Sequence, residues 1–486
     1  MRIFEIFLII GLLFSALGIL FIKNKKLRIV LPTLSMTFSF ASIFVEGFRF
    51  VMVPAYSMSV IIFALSLTKL FLMTKKRHPI LKGLEIAAFC LFYMLSIALP
   101  SFLPVINLTK PNGPNPVGTM RMAFNENNRK NVLTGKTSSQ KIAVQVWYPA
   151  SSLSGAKQAN WIDKREVASL FAKSKGLPDL FGQLCLIKTN SYWNAGLSNE
   201  TNKFPIILFS GGGGMFNGSN TIQMEELASE GYVVFAVSHP YDDFASVYPE
   251  GDIVPYSSKL SAALSKDSAR AIDIAKKQIT DDRSPEFQRV IIRNCKLYTE
   301  NVRVWSDDMS FVADQISKLN DGSIKSIFAG RLDTVKMGLF GHSFGGAALG
   351  QTCLRDSRFK AFINMDGTPF GDTVDTIIQQ PFMILTIRPD KNSKRVSVSD
   401  GYSENQKNFL VVSINGTEHM NFTDLNTVIP NAGKALGALG SISANRQTEI
   451  TNTYIVSFFN KYLKEMPEPL LNALASQYPE VTIEKK

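Results

Sequence analysis

The residues Gly341-His342-Ser343-Phe344-Gly345-Gly346 directly follow an apolar run at 335–340 and lead at once into Ala347 and Ala348. A strand that stops on G-x-S-x-G and turns into small residues has the form of a nucleophile elbow. The turn is too sharp to carry bulk beside the serine, and it lifts the Ser343 hydroxyl above the sheet, where a base can reach it. The motif alone is weak. The strand before it, the small-residue helix after it and the partners downstream give it weight.

The chain holds four histidines: His78, His239, His342 and His419. Hydrolases built on this elbow place their partners in the order serine, acid, histidine. Only His419 follows Ser343, so it is the sole candidate base. It lies in a turn at 413–419 that leaves an apolar run at 409–412, and loops at the C-terminal ends of strands are where an open α/β sheet carries its chemistry. A solvated loop histidine is the plainer reading, and the required order outweighs it. His342 is expected to point into the packing of the elbow. Two acids end strands after the elbow, Asp366 and Asp390; either can orient an imidazole and hold its tautomer, and spacing alone leaves both open. Ester hydrolysis passes through an oxyanion that needs backbone N–H donors. The glycine-rich run Gly211-Gly212-Gly213-Gly214 follows a strand and offers one from Gly213, with the residue after the serine, Phe344, offering the other. A phosphate-cradling loop is the alternative for these glycines, but no Lys-Ser/Thr follows and no G-x-G-x-x-G opens a helix.

These residues need a sheet to hold them. Strands are expected at 141–148, 205–210, 232–237, 335–340, 362–365, 382–387 and 409–414, and helices at 222–231, 301–319 and 449–463. Short buried runs alternating with helices imply an α/β fold, a mainly parallel sheet with helices on both faces.

The first 107 residues differ in kind. Apolar stretches at 3–22, 29–45, 50–73 and 86–105 each approach the roughly 20 residues that cross a bilayer. A cleaved signal peptide is the alternative for the first, but three more stretches follow it. Residues 1–110 carry 12 Lys/Arg against 3 Asp/Glu, most of the net charge of +12. The basic balance is therefore no sign of nucleic acid. It marks cytoplasmic loops: Lys23, Lys25, Lys26 and Arg28 follow the first stretch, Lys75, Lys76, Arg77 and Lys82 follow the third, and the turn between the second and third has only Arg49. Four spans oriented this way put the N-terminus and everything after the fourth span outside the cytoplasm. Glu5, Glu46 and Glu85 lie at span ends, so the membrane part reads as an anchor rather than a transport path. A turn-rich linker at 108–116 separates it from a catalytic domain at 117–470, followed by a tail at 471–486. Four cysteines with no C-x-x-C argue for neither zinc nor a disulfide framework, although a Cys185–Cys295 bridge remains open. The region 155–200, with Trp161, Leu170, Phe171, Leu177, Leu180, Phe181, Leu184 and Leu186, is either a lipid-facing lid or ordinary core.

The chain resembles the platelet-activating-factor acetylhydrolase family, α/β-hydrolase phospholipases that need no calcium. The resemblance rests on Ala143-Val144-Gln145-Val146-Trp147-Tyr148-Pro149, the run 204–212, the elbow itself, Arg358-Phe359-Lys360-Ala361 leading to Asp366, and His419-Met420-Asn421-Phe422 before Asp424. In that family the acid follows the serine by 23 residues, which points to Asp366 over Asp390. The family's oxyanion loop usually reads His-Gly where this chain has Gly211-Gly212, and four membrane spans are not part of its core pattern. The resemblance implies an α/β-hydrolase fold, short or oxidised acyl chains on a lipid or phospholipid ester, and no cofactor or metal. A broad esterase, an acyltransferase, or a silent extracellular sensor domain are the rival expectations; a complete Ser343, Asp366 and His419 set argues against the last.

Overall fold

The computed structural model describes the chain except residues 23, 25, 72–77, 175, 177–180, 389–396 and 472–476. Lys23, Lys25, Lys75, Lys76, Arg77, Leu177, Leu180 and Asp390 therefore lie outside the described residues. The chain forms two compact units, one of residues 1–107 with 162–187, the other of residues 108–161 with 188–486.

In the first unit the apolar stretches form helices Ile3–Phe21, Leu27–Ala41, Val53–Phe71 and Pro79–Phe102. Among the described residues, Leu27–Glu46, Phe50–Thr68 and Pro79–Phe102 are long and apolar enough to cross a membrane. Of the four expected spans, three have helices of spanning length among the described residues. Pro32 sits inside the second helix without ending it. Ser15 and Ser35 share a buried hydrogen bond of 2.8 Å between the first two helices, the kind of small polar contact that lets apolar helices pack closely.

Charge is present inside this unit after all. Arg49 and Glu5 are both fully buried and bonded at 2.8 and 2.9 Å. Arg49 also donates to Gln183 Oε1 at 3.0 Å and to the Leu103 carbonyl, and Arg2 donates to Glu5 and to the carbonyls of Glu46 and Gly47. The segment 162–187 joins this unit through Gln183. Its helix Arg165–Ser174 and the short turn Gly182–Leu186 bury Phe171, Phe181 and Leu184, with the two phenylalanine rings edge to face at 5.5 Å. Those apolar side chains are consumed by packing within the unit.

The second unit is built on strands β1 (Val117–Lys130), β2 (Thr137–Ser152), β3 (Gln158–Asn160), β4 (Lys188–Trp193), β5 (Gly196–Leu197), β6 (Phe204–Ser210) and β7 (Val233–Val237). A two-stranded ribbon, β8 (Ala245–Val247) and β9 (Ile253–Pro255), precedes β10 (Leu332–His342), β11 (Phe359–Met365), β12 (Phe382–Ile387), β13 (Phe409–Ile414) and β14 (Val481–Lys485). The large sheet runs β14-β13-β12-β11-β10-β6-β7-β2-β1-β4-β3, with β5 beside β2. From β7 to β13 every pairing is parallel, and β2 and β14 join antiparallel at either side.

Alternation along each central strand feeds two cores. On β6, Ile207 and Phe209 pack with Met224, Tyr454 and Phe458 from helices Thr221–Ser229 and Ala444–Leu463, while Ile206 and Leu208 pack with Met309, Val312 and Leu349 from helices Lys296–Asn320 and Phe344–Arg355. Both faces are covered, so the strands read as continuous apolar runs. Each such fully buried side chain is worth about 1.5–3 kcal/mol. This is an α/β-hydrolase fold. Part of the expected C-terminal tail pairs with β13 as β14; one buried valine, Val481, in a charged stretch left too little alternation to announce it.

Removing one partner of a buried ion pair leaves the other uncompensated, at a cost of about 3–5 kcal/mol. Glu5→Gln is therefore expected to lower the thermal midpoint and to speed tryptic cleavage at Lys173 in the tethered segment; an unchanged cleavage rate would show that the pair does not hold it.

Candidate active site

The elbow is made by β10 and the helix Phe344–Arg355. Ser343 between them has φ 53° and ψ −121°, a strained conformation for a residue with a side chain. It is held there from two sides. Its N–H donates to the Met365 carbonyl at 2.9 Å, and two glycines allow backbones to close on it. A Cβ on Gly345 would stand 2.1 Å from the Ser210 oxygen, and one on Gly367 would stand 2.1 Å from the Ser343 oxygen. Neither distance admits a carbon atom.

Three side chains meet at this turn. Ser343 Oγ lies 2.9 Å from His419 Nε2, and His419 Nδ1 lies 2.7 Å from Asp366 Oδ2. Asp366, at the end of β11 with φ 55°, is buried; it anchors by its N–H to the Leu385 carbonyl at 2.8 Å and accepts from Thr386 Oγ1 at 2.6 Å. The carboxylate accepts only, so Nδ1 carries the proton and Nε2 is left to accept from Ser343. His419 is one-third exposed and Ser343 half-buried, so a substrate can reach both.

His419 opens a short helix, His419–Phe422. Asn421 Oδ1 fixes the loop by accepting from Glu418 N and Gly440 N, each at 2.7 Å. Asp424 ties its far end to the N-terminus of the helix Thr221–Ser229, accepting from Thr221 N, Ile222 N and Trp161 Nε1.

Among the expected site residues, the sequence order brought Ser343, Asp366 and His419 together, whereas Asp390 is outside the described residues. Gly213 is exposed and lies over the elbow: a Cβ on it would be 3.6 Å from Phe344 Cβ, and one on Gly212 would be 3.2 Å from Ser343 Cβ. The loop spends its other donors on itself, Gly214 N to Asp242 O and Met215 N to Gly212 O, each at 2.9 Å. His342 was expected to be structural, and its part is more specific: its Nε2 donates to the His419 carbonyl at 3.1 Å, with the two rings 4.6 Å apart. All four cysteines are free, Cys185 and Cys295 included.

The fold has a counterpart among solved structures. A ferulic acid esterase from Streptomyces cinnamoneus superposes with a TM-score of 0.59 at 22% identity, covering 78% of this chain and all of that one. Residues 102–469 match the family described as platelet-activating factor acetylhydrolase, isoform II, and the chain belongs to that family of carboxylic ester hydrolases. It is similar to the platelet-activating factor acetylhydrolases of Cavia porcellus, at 25% identity over 73% of this chain and 78% of the relative, and of Bos taurus, at 26% over 73% and 77%.

Burial, and after it the neighbouring His419 ring, push the His342 pKa down to about 3. An unfolded imidazole keeps about 6.5. Between these values the unfolded chain binds a proton that the folded chain refuses, so the contribution is intact above pH 6.5 and is lost as pH falls. His342 is expected to cost about 2 kcal/mol of stability between pH 7 and pH 5, at 1.36 kcal/mol per unit. The check is the pH slope of the unfolding midpoint in wild type against His342→Gln. Equal slopes would mean that the imidazole ionises freely in the fold.

Proposed function

We propose that this protein is a membrane-anchored serine hydrolase that cleaves short acyl esters of phospholipids through Ser343, His419 and Asp366. His419, oriented by Asp366, takes the Ser343 proton. Ser343 Oγ attacks the ester carbonyl carbon, the N–H groups of Phe344 and Gly213 hold the resulting oxyanion, and His419 returns the proton to the leaving alcohol. Water repeats the sequence on the acyl-enzyme and frees the acid. The continuous hydrogen-bonded path from Ser343 through His419 to Asp366 carries this reading. Family membership supports the substrate class, since the relatives are named platelet-activating factor acetylhydrolase and probable 1-alkyl-2-acetylglycerophosphocholine esterase.

A short acyl chain also agrees with the surroundings of Phe344. Its ring lies 5.7 Å from Tyr298 and 6.3 Å from Phe370, which stack on each other at 4.7 Å. This partly exposed aromatic group stands immediately beside Ser343, where an acyl chain would enter under this reading.

Ser343→Ala is expected to abolish fluorophosphonate labelling, and Asp366→Asn to lower turnover on the order of 10⁴-fold by releasing the wrong imidazole tautomer. A panel of glycerophosphocholine esters should lose kcat/KM from acetyl upward. Labelling of a folded Ser343→Ala protein would overturn the reading.

The membrane orientation follows from charge. The two basic loops carry four Lys/Arg each, and Arg49, the one basic residue of the intervening turn, is neutralised by Glu5. Short basic loops stay in the cytoplasm, so four spans would leave the hydrolase unit outside. Protease added to intact cells or spheroplasts is then expected to destroy or release the esterase activity. Digestion only after permeabilisation would reverse the orientation.

A further inference from the structure

A second Ser–His–Asp set lies beneath the first. Ser210 Oγ donates to His239 Nε2 at 2.9 Å, and His239 Nδ1 donates to Asp308 Oδ2 at 2.8 Å. Arg129 holds Asp308 from the other side with bonds of 2.8 and 3.0 Å. The connectivity matches that of Ser343, His419 and Asp366, but the setting does not. Ser210 and His239 are 0% exposed and Asp308 1%, so no ester can reach this serine. Burial drives the His239 pKa down against the pull of Asp308, which leaves a neutral ring with one donor and one acceptor, each spent.

The set touches both walls of the oxyanion site. Ser210 is the last residue of β6 and the one before Gly211-Gly212-Gly213. Its carbonyl is the atom that a side chain on Gly345 would strike. The turn after His239 holds the far end of the same loop: the Asp242 carbonyl accepts from Gly214 N at 2.9 Å, and Phe244 N donates to the Met215 carbonyl at 2.8 Å. On the other wall, the Trp305 indole stacks on the His239 ring at 3.7 Å and meets the Phe344 ring edge to face at 4.8 Å. Asp242 fixes that indole by accepting from its Nε1 at 3.2 Å. One imidazole thus sits between the glycine loop and the residue after Ser343.

We infer that Ser210, His239 and Asp308 form a positioning relay that sets the oxyanion loop and Phe344 at their working separation. The inference rests on the reading of Ser343, Gly213 and Phe344 given above. A carboxylate pinned by Arg129 fixes the His239 ring, the ring fixes the Ser210 hydroxyl, and the peptide chain that follows Ser210 inherits that position. Preorganised donors act on the charge that develops in the transition state. Their misplacement should therefore lower kcat while leaving KM unchanged.

The test compares Ser210→Ala and His239→Gln with wild type, using a short-chain ester, a trifluoromethyl ketone that forms a hemiketal oxyanion, and an ether analogue without a carbonyl. Complete loss of one oxyanion donor costs about 10²–10³-fold, so displacement of a loop should cost about 10–10²-fold in kcat. The ketone is expected to lose affinity by the same factor, with KM and ether affinity within about twofold of wild type. Wild-type kcat and ketone affinity in either folded variant would overturn the relay, as would a loss confined to KM. If neither variant folds, the set belongs to folding alone and the inference also fails. Ser343→Ala is run alongside: retained turnover there would refute the underlying site reading, whatever the Ser210 and His239 variants do.

Discussion

The close approach of two backbones at Gly345 is the constraint on which the rest of the site depends. The carbonyls of Ser210 and Gly211 would lie 2.1 and 2.3 Å from a Cβ at this position, so the chain there has to be glycine. That contact lets the loop after β6 lie directly against the elbow after β10, its parallel neighbour in the sheet. Ser343 can then take its strained φ because the N-terminus of the following helix, the Met365 carbonyl and the glycine loop close around it. Strain of this kind persists only where the surroundings over-determine it.

The two Ser–His–Asp sets illustrate how burial decides what one hydrogen-bonding pattern does. In both, an accepting carboxylate fixes the imidazole tautomer and the imidazole addresses a serine hydroxyl. His419 is one-third exposed and rides on a loop, so its ring can exchange a proton with a substrate. His239 is sealed beneath an indole, so its bonds serve to hold atoms still. A low-dielectric interior makes a satisfied network rigid and an unsatisfied one costly. Placing such a network under the loop that must receive a developing charge is a physical route to preorganisation.

What was legible in the sequence divides along the same line. The elbow, the order serine–acid–histidine and the apolar runs of the central strands are local signals, and they led to Ser343 and His419 within one sheet, while the choice of Asp366 over Asp390 came from the family resemblance. The relay was not legible. His239 was set aside because it precedes Ser343, and Asp308 lies 69 residues beyond His239 in a helix whose apolar spacing reads as core. A contact of that kind is created by the fold, with no spacing rule to reveal it. His342 was seen only as packing, because its partner is a backbone carbonyl, which no residue type advertises.

The first unit held an ion pair that no spacing revealed. Glu5, Glu46 and Glu85 read in the sequence as charges at span ends, and Arg49 as the one basic residue of a turn. In the fold Glu5 and Arg49 neutralise one another in the interior, and Arg49 reaches Gln183 from a segment far along the chain. Residues 162–187 leave the hydrolase unit after β3 and return at β4, and these two strands pair antiparallel, so the excursion begins and ends at one edge of the sheet. An insertion at a sheet edge costs the host fold little, because only the two ends must be held together. The buried arginine has a donor count that the helices alone do not satisfy, and the amide of Gln183 supplies one of the missing acceptors. The excursion thus brings to the N-terminal helices an acceptor that their own sequence lacks.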